Sequence, residues 1–233
     1  MLKIVGIPVG NDEDFSARAK KALEEADYLL CEDRRNASTF FKRIGLIFPA
    51  EWDLLNEHTA ESDIGELLEK VMRAKTPALI SDAGLPILCD PGETLVRKLR
   101  MRGYPVTVIP GPSALLIAIA LSGVGGHGFH FLGFLPRKKE ERPTFLRRLG
   151  EYRVPVVLYE TPYRLRKLLL ELSQALPDDK KVFVAVNLTQ EDEYTLECRA
   201  SDLKKKAQHV PEGPPVIIIF KDTGEYLSLN GDF

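Results

Sequence analysis

Two α/β domains are predicted by three features of this 233-residue sequence. Short β-branched or apolar runs alternate with amphipathic segments through the first half, the pattern of a sheet covered by helices. A break at Pro110-Gly111-Pro112-Ser113 and a glycine-rich stretch, GVGGHG at 123–128, interrupt the chain near its middle. A second series of strands then begins, which places the domains at 1–112 and 113–233. The length is enough for two modest cores.

In the first half, strands are expected over Leu2–Ile7, Tyr28–Cys31, Ala78–Ser81 and Val106–Ile109. Ile64, Leu67, Leu68, Val71 and Met72 recur at helical spacing, with Asp63 and Glu66 placed to form a capping box. Further helices are expected over Ser16–Ala26, Ala37–Ile44 and Glu93–Arg102, the last stopped by Gly103. Ser113 is placed to cap the next helix. In the second half, Phe129–Phe134, Val154–Tyr159, Val182–Val186, Tyr194–Arg199 and Val216–Phe220 read as strands. Thr161-Pro162 is a helix start, and Leu165, Leu168, Leu169, Leu172 and Leu176 form the core stripe of the helix it opens.

Composition narrows the class. With 44% hydrophobic and 28% charged residues the chain is an ordinary globular protein. A net charge of −2 argues against coating nucleic acid by bulk charge, so any such contact needs a local patch. Cys31, Cys89 and Cys198 are odd in number and far apart, which suggests neither a disulfide framework nor a thiolate metal site. The four histidines, among them His127 and His130, make no ligand pattern, so no metal is expected. The start, Met1-Leu2-Lys3-Ile4-Val5, reads as a strand and not as a signal peptide, and the apolar run Ala114–Leu121 is too short to span a bilayer. A cytoplasmic location without membrane attachment follows as an expectation.

Candidate chemistry gathers at strand exits, where open α/β sheets bind ligands. SDAGLPILCDPG, 81–92, brings glycines and prolines together with Ser81, Asp82 and Asp90. Its composition suits a close backbone approach to a ligand as well as it suits a turn in which Asp90 caps the next helix. GIPVGN at 6–11 lacks the dinucleotide-binding glycine pattern. Glu32-Asp33-Arg34-Arg35-Asn36 and Tyr159-Glu160-Thr161-Pro162-Tyr163-Arg164 also follow strands. Arg164 in a helix's first turn opposes the macrodipole and points to an anionic ligand or a specific ion pair. Between 136 and 153, seven basic residues, including Arg137, Lys138, Lys139, Arg142, Arg147 and Arg148, face three acidic ones. Such a run suits a solvated helix face or a phosphate contact.

Taken in order, GIPVGN, EDRR at 32–35, SDAGLPILCDPG, VIPGPSAL at 108–115, FLGFLP at 131–136 and YETPYR at 159–164 resemble the tetrapyrrole-methylase superfamily. More narrowly they are similar to its ribosomal RNA small-subunit methyltransferase I branch, over about residues 3–220. The resemblance implies a homodimer of two-domain chains with S-adenosylmethionine in an interdomain cleft and a ribose 2′-oxygen of 16S ribosomal RNA as acceptor. It assigns Pro8, Ser81, Asp82, Ala83 and Gly84 to one donor wall, Ser113 and Ala114 to a second, and Tyr159, Leu188 and Pro215 to the far side. Where the branch shows Glu-Leu-Thr-Lys, this chain has Asn187-Leu188-Thr189-Gln190.

A ribose hydroxyl is a weak nucleophile, so Glu32, Asp33 or Glu160 is the expected base. Arg34, Arg35, Arg137, Lys138 and Arg164 are the expected grips on small-subunit RNA. Two other readings stay open: a small-molecule methylase acting on a tetrapyrrole, and an inactive donor-binding regulator.

Overall fold

The structure, a computed structural model, describes residues 1–124, 128–136, 138 and 140–221. Arg137, Lys139, His127 and the centre of GVGGHG lie outside these residues. The chain divides into two compact units, Met1–Ala114 and Leu115–Phe233.

The first unit is a five-stranded parallel sheet in the order β3-β2-β4-β1-β5. Its strands are β1 (Leu2–Val5), β2 (Tyr28–Cys31), β3 (Glu51–Leu54), β4 (Pro77–Leu79) and β5 (Val106–Ile109). Helices α1 (Ala17–Glu24), α2 (Arg34–Arg43), α3 (Asp63–Arg73) and α4 (Glu93–Met101) connect them. Two apolar cores form, one joining α1 and α2 to the sheet around Leu23, Leu29 and Phe41, the other joining α3 and α4 around Leu30, Leu68 and Leu95. β1 leads to β2 on one side, while its neighbour β4 leads to β5 on the other. The exits of β1 and β4 are therefore the topological switch point, where such sheets open a crevice.

Three local expectations are corrected. α2 begins at Arg34, not Ala37, because the Asp33 carboxylate caps it by accepting the backbone N–H groups of Arg35 and Asn36. α3 starts at Asp63 itself; its N-cap is Ser62, whose side chain makes no capping bond, so no capping box forms. Asp90 does not cap α4, whose N-cap is Gly92 at φ 125°.

The second unit is a mixed sheet in the order β6-β7-β10-β8-β9. It contains β6 (His130–Phe134), β7 (Val156–Tyr159), β8 (Lys181–Val186), β9 (Tyr194–Arg199) and β10 (Pro215–Ile219). Among the described residues, only β6 and β7 pair in parallel in this sheet; the other pairs are antiparallel. Helices α5 (Ala114–Ser122), α6 (Arg142–Leu149), α7 (Pro162–Ala175) and α8 (Ala200–Lys206) complete it. Leu165, Leu168, Leu169 and Leu172 of α7 pack fully into one core with Val156, Val184 and Ile217. Among the described residues, no helix is long and apolar enough to cross a membrane.

Candidate functional site

The loops leaving β1, β4 and β5 are fused by backbone contacts. Ile7 donates its N–H to the Gly84 carbonyl at 2.9 Å, and Gly84 donates to Pro8 at 3.4 Å. Gly6 donates to Ile109 at 3.0 Å and lies back to back with Gly111, where a Cβ on either residue would stand 2.7 Å from the other's backbone. Gly84 adopts φ 76°, a conformation that glycine takes without penalty. Further along the same loop, Ile87 and Cys89 hold φ of 82° and 68°. A β-branched residue at positive φ is strained, and such strain concentrates at ligand-binding segments.

Loop 81–92 is laced to the turn after β2. The Glu32 carboxylate accepts the backbone N–H of Asp82, and the Asp82 carboxylate accepts the backbone N–H of Asp33. Asn36 Nδ2 donates to Asp82 Oδ2 at 2.6 Å. Asp90 completes the cluster and takes a hydrogen bond from Ser81, whose hydroxyl also reaches the Ala83 carbonyl at 3.1 Å. Burial, then the charges of Asp90 and Asp82, push the Glu32 carboxyl up to about 7. Burial, with the charge of Asp82 added, pushes Asp90 up to about 6. Asp82 is raised too, chiefly by burial. Acids held near neutrality are suited to accept and release protons.

A cavity of about 490 Å³ opens beside this cluster, lined in part by Asn56, Glu57, Ile64, Asp90 and Glu93. The Asn56 side chain reaches the Glu32 carbonyl at 3.5 Å. Asp33 serves as the α2 cap. Arg34 is exposed and stacks over Trp52 at 4.8 Å and Phe48 at 5.9 Å. Arg35 is exposed.

In the second unit a β-bulge between Phe131 and Gly133 turns two phenylalanines onto Tyr159. Phe131 and Phe134 meet its ring edge-on at 4.9 and 5.9 Å. The Tyr159 hydroxyl accepts the backbone N–H of Leu115 at 3.0 Å, at the start of α5. Glu160 is different in kind. Its side chain is 0% exposed and pairs with Arg142 at 3.4 Å and Arg164 at 3.8 Å, while accepting the Thr161 N–H at 2.9 Å. The structure thus engages Arg164 in an ion pair and also places its guanidinium over the Tyr163 ring at 5.7 Å.

Leu188 and Pro215 are buried where β8 ends and β10 begins. Asn187 and Thr189 flank Leu188 at φ 53° and 65°. Asn187 Nδ2 donates to Asp192 Oδ2 at 2.7 Å and to the Glu212 carbonyl at 3.4 Å. Asparagine tolerates this backbone better than most residues. Ser113 and Ala114 are half-buried, and Lys138 is exposed and paired with Glu141 at 3.4 Å. Arg137 lies outside the described residues. Among the described residues, no group of three or more histidine, cysteine or acidic side chains is placed to hold a metal.

Asn36 and Arg142 are not among the site residues expected from the sequence, and Asp90 is expected there only as a ligand contact of its loop or a helix cap. Asn36 directly follows EDRR and Asp90 lies in SDAGLPILCDPG, and their closeness to Asp82 and Glu32 arises only when two strand exits meet. Arg142 was counted as one charge of a basic run.

A parallel sheet with glycine-fused loops at its switch point, joined to a mixed-sheet unit, defines a two-unit α/β protein. The tetrapyrrole (corrin/porphyrin) methylase family model matches residues 1–204, and the chain belongs to that family and is a methyltransferase. It is 36% identical to the ribosomal RNA small subunit methyltransferase I of Leptospira borgpetersenii, over 94% of this chain and 87% of that protein. It is 39% identical to the protein of the same name from Thermotoga maritima, over 81% of this chain and 83% of that one. Among solved structures, a Thermus thermophilus uroporphyrin III C-methyltransferase matches 95% of this chain and 97% of its own with a TM-score of 0.63 at 20% identity. A cobalt precorrin-4 methyltransferase matches 94% of each chain with a TM-score of 0.65 at 18% identity. A Thermus enzyme of the first kind has been crystallised with S-adenyl homocysteine.

Proposed function

We infer that this methyltransferase uses S-adenosylmethionine, and we propose that it methylates a ribose 2′-hydroxyl of 16S ribosomal RNA in the small subunit. The observation that carries the reading is the fusion of the β1, β4 and β5 exits, with the Glu32 carboxylate bonded to the donor loop at Asp82. The names of the relatives support the acceptor.

The cradle fits such a donor. Gly84 is held at φ 76°, where any side chain is strained, and a Cβ there would come into contact with the Pro112 carbonyl at 3.5 Å and Val9 at 3.6 Å. We assign Pro8, Ser81, Asp82, Ala83, Gly84, Ser113 and Ala114 of the first unit, and Tyr159, Leu188 and Pro215 of the second, to donor contacts. The bound donor supplies an electrophilic methyl carbon on a good leaving group. The protein's part is alignment and proton handling.

Glu32 is the proposed base, its carboxylate taking the proton of the ribose hydroxyl. Asp33 and Glu160 are assigned supporting roles, because the first caps α2 and the second is enclosed by two guanidinium groups. Arg34, Arg35, Arg137 and Lys138 are the proposed RNA contacts. Arg34, its guanidinium carbon 4.8 Å from the centre of the Trp52 ring, presents a cationic group for a base or phosphate. Arg164 is left out, since it is spent on Glu160.

A homodimer is also proposed. α5 is apolar on all sides, and its Leu116 and Leu121 are 59% and 46% exposed. A helix of that composition is normally covered. A ribosomal substrate would place the protein in the cytoplasm.

Methyl transfer from labelled S-adenosylmethionine to undermethylated small subunits tests the function. Glu32→Gln is expected to abolish most turnover while leaving donor binding in calorimetry unchanged. Donor binding with no transfer to RNA by the wild-type protein would overturn the acceptor and favour a tetrapyrrole substrate or an inactive donor-binding role.

A further inference from the structure

Arg142 lies in the most basic stretch of the chain, yet it is 8% exposed, whereas Arg147 and Arg148 of the same helix are exposed. Its guanidinium is used on three sides. Nε donates to Glu171 Oε2 of α7 at 2.8 Å, Nη1 to the Pro136 carbonyl beyond β6 at 3.1 Å, and Nη2 to Glu160 Oε2 beyond β7 at 3.4 Å. Glu160 in turn adjoins Tyr159, whose ring is clasped by Phe131 and Phe134.

Stability alone is a poor reason for this arrangement. The Glu160 carboxylate and the Arg142 guanidinium are withdrawn from water, with Glu171 half-buried beside them, and the desolvation cost is barely repaid by their attraction; apolar replacements of whole buried ion networks are often neutral or stabilising. What the network supplies is a fixed geometry. A planar fork can satisfy three acceptors on three different elements at once, which a lysine ammonium on a flexible stem cannot do without leaving some of them unpaired.

We propose that Arg142 is a positioning residue that fastens the first turn of α6, and with it the basic side chains of Lys138, Arg147 and Arg148, to the strand exits bearing Pro136 and Glu160. The basic helix that meets RNA is thereby held in register with the Tyr159 wall. This rests on the RNA reading above.

The test uses the full-length protein with Arg142→Lys and with the triple variant Arg142→Met, Glu160→Gln, Arg164→Met, which removes the deeply buried charges together and leaves Glu171, 22% exposed, beside Lys167. KM and kcat on undermethylated small subunits, donor affinity by calorimetry, Tm, and hydrogen exchange of the α6 amides are measured. Arg142→Lys is expected to raise KM for the subunit about tenfold, with a much smaller change in kcat and none in donor affinity. The triple variant is expected to regain wild-type Tm while keeping the raised KM and fast α6 exchange. A triple variant that regains both Tm and KM would reduce Arg142 to a structural residue and overturn the proposal, as would wild-type KM in Arg142→Lys. If the wild-type protein transfers no methyl to subunits, the RNA reading fails by itself. The fastening is then judged by exchange alone: faster α6 amides in Arg142→Lys uphold it, and unchanged amides overturn it.

Discussion

Gly6 and Gly111 touch through their backbones: a Cβ on Gly6 would lie 2.7 Å from the Gly111 Cα, and one on Gly111 2.8 Å from the Gly6 Cα. Neither neighbour is a side chain that can swing away. Gly6→Ala or Gly111→Ala must therefore part the exits of β1 and β5, at a cost of about 1–3 kcal/mol by the usual penalty for overpacking. Urea unfolding is expected to show that loss. Calorimetry is expected to show weakened donor binding even where the variant is fully folded. Unchanged donor affinity would detach this contact from the proposed cradle.

Glu32 gives a pH dependence of definite sign. Its carboxyl is held up at about 7, so it is increasingly protonated below that pH and unable to accept a proton. Turnover is expected to rise through about pH 7 and to lose that limb in Glu32→Gln. Stability runs the other way. Between the ordinary carboxyl range near 4.5 and about 7 the folded state binds more protons than the unfolded one, so stability from this group is lost as pH rises through that window. At pH 8 Glu32→Gln is expected to be at least as stable as the parent, the usual mark of a residue kept for function. A destabilised Glu32→Gln with parental turnover would contradict both statements.

Glu160 is expected to behave in the opposite way. Removing it leaves Arg142 and Arg164 without their shared carboxylate in a buried setting, and breaking such a pair costs about 3–5 kcal/mol. Glu160→Ala is expected to unfold at clearly lower denaturant, with the activity limb near pH 7 retained in whatever fraction folds. Loss of that limb at parental stability would return Glu160 to the candidate bases.

Asn187 carries a positive φ and ties Asp192 and Glu212 together around the buried Leu188. Asn187→Ala loses both bonds and puts a residue with no side-chain compensation into a left-handed conformation, for about 1–3 kcal/mol. Asn187→Gly keeps the backbone at ease and loses only the bonds. The alanine variant is expected to be the less stable of the two in thermal melts, and equal melting points would show that the backbone conformation costs little.

Much of the fold was legible. Tyr28–Cys31, Val106–Ile109 and Tyr194–Arg199 are strands within the bounds that their residue types suggested. β3 was not expected, since Glu51-Trp52-Asp53-Leu54 is an edge strand with two acids and no clean alternation. α8 escaped because it is seven residues long with only Ala200 and Leu203 buried. The start of α2 was misplaced because Arg34 and Arg35 in a first turn run against the helix dipole, a local cost that the Asp33 cap offsets. In the site, the glycines and prolines of 81–92 announced a backbone loop after a strand. The rest depended on contacts between distant segments. Nothing in Glu160's own neighbourhood in the chain foretells a guanidinium arriving from residue 142.

We propose that this methyltransferase moves a methyl group from S-adenosylmethionine to ribosomal RNA. The most direct test is a labelled-methyl assay in which small subunits from a strain lacking the corresponding activity and a reduced tetrapyrrole are offered side by side. Label is predicted in RNA, on a ribose 2′-oxygen, with Glu32→Gln inactive. Label in the tetrapyrrole and none in RNA would contradict the account.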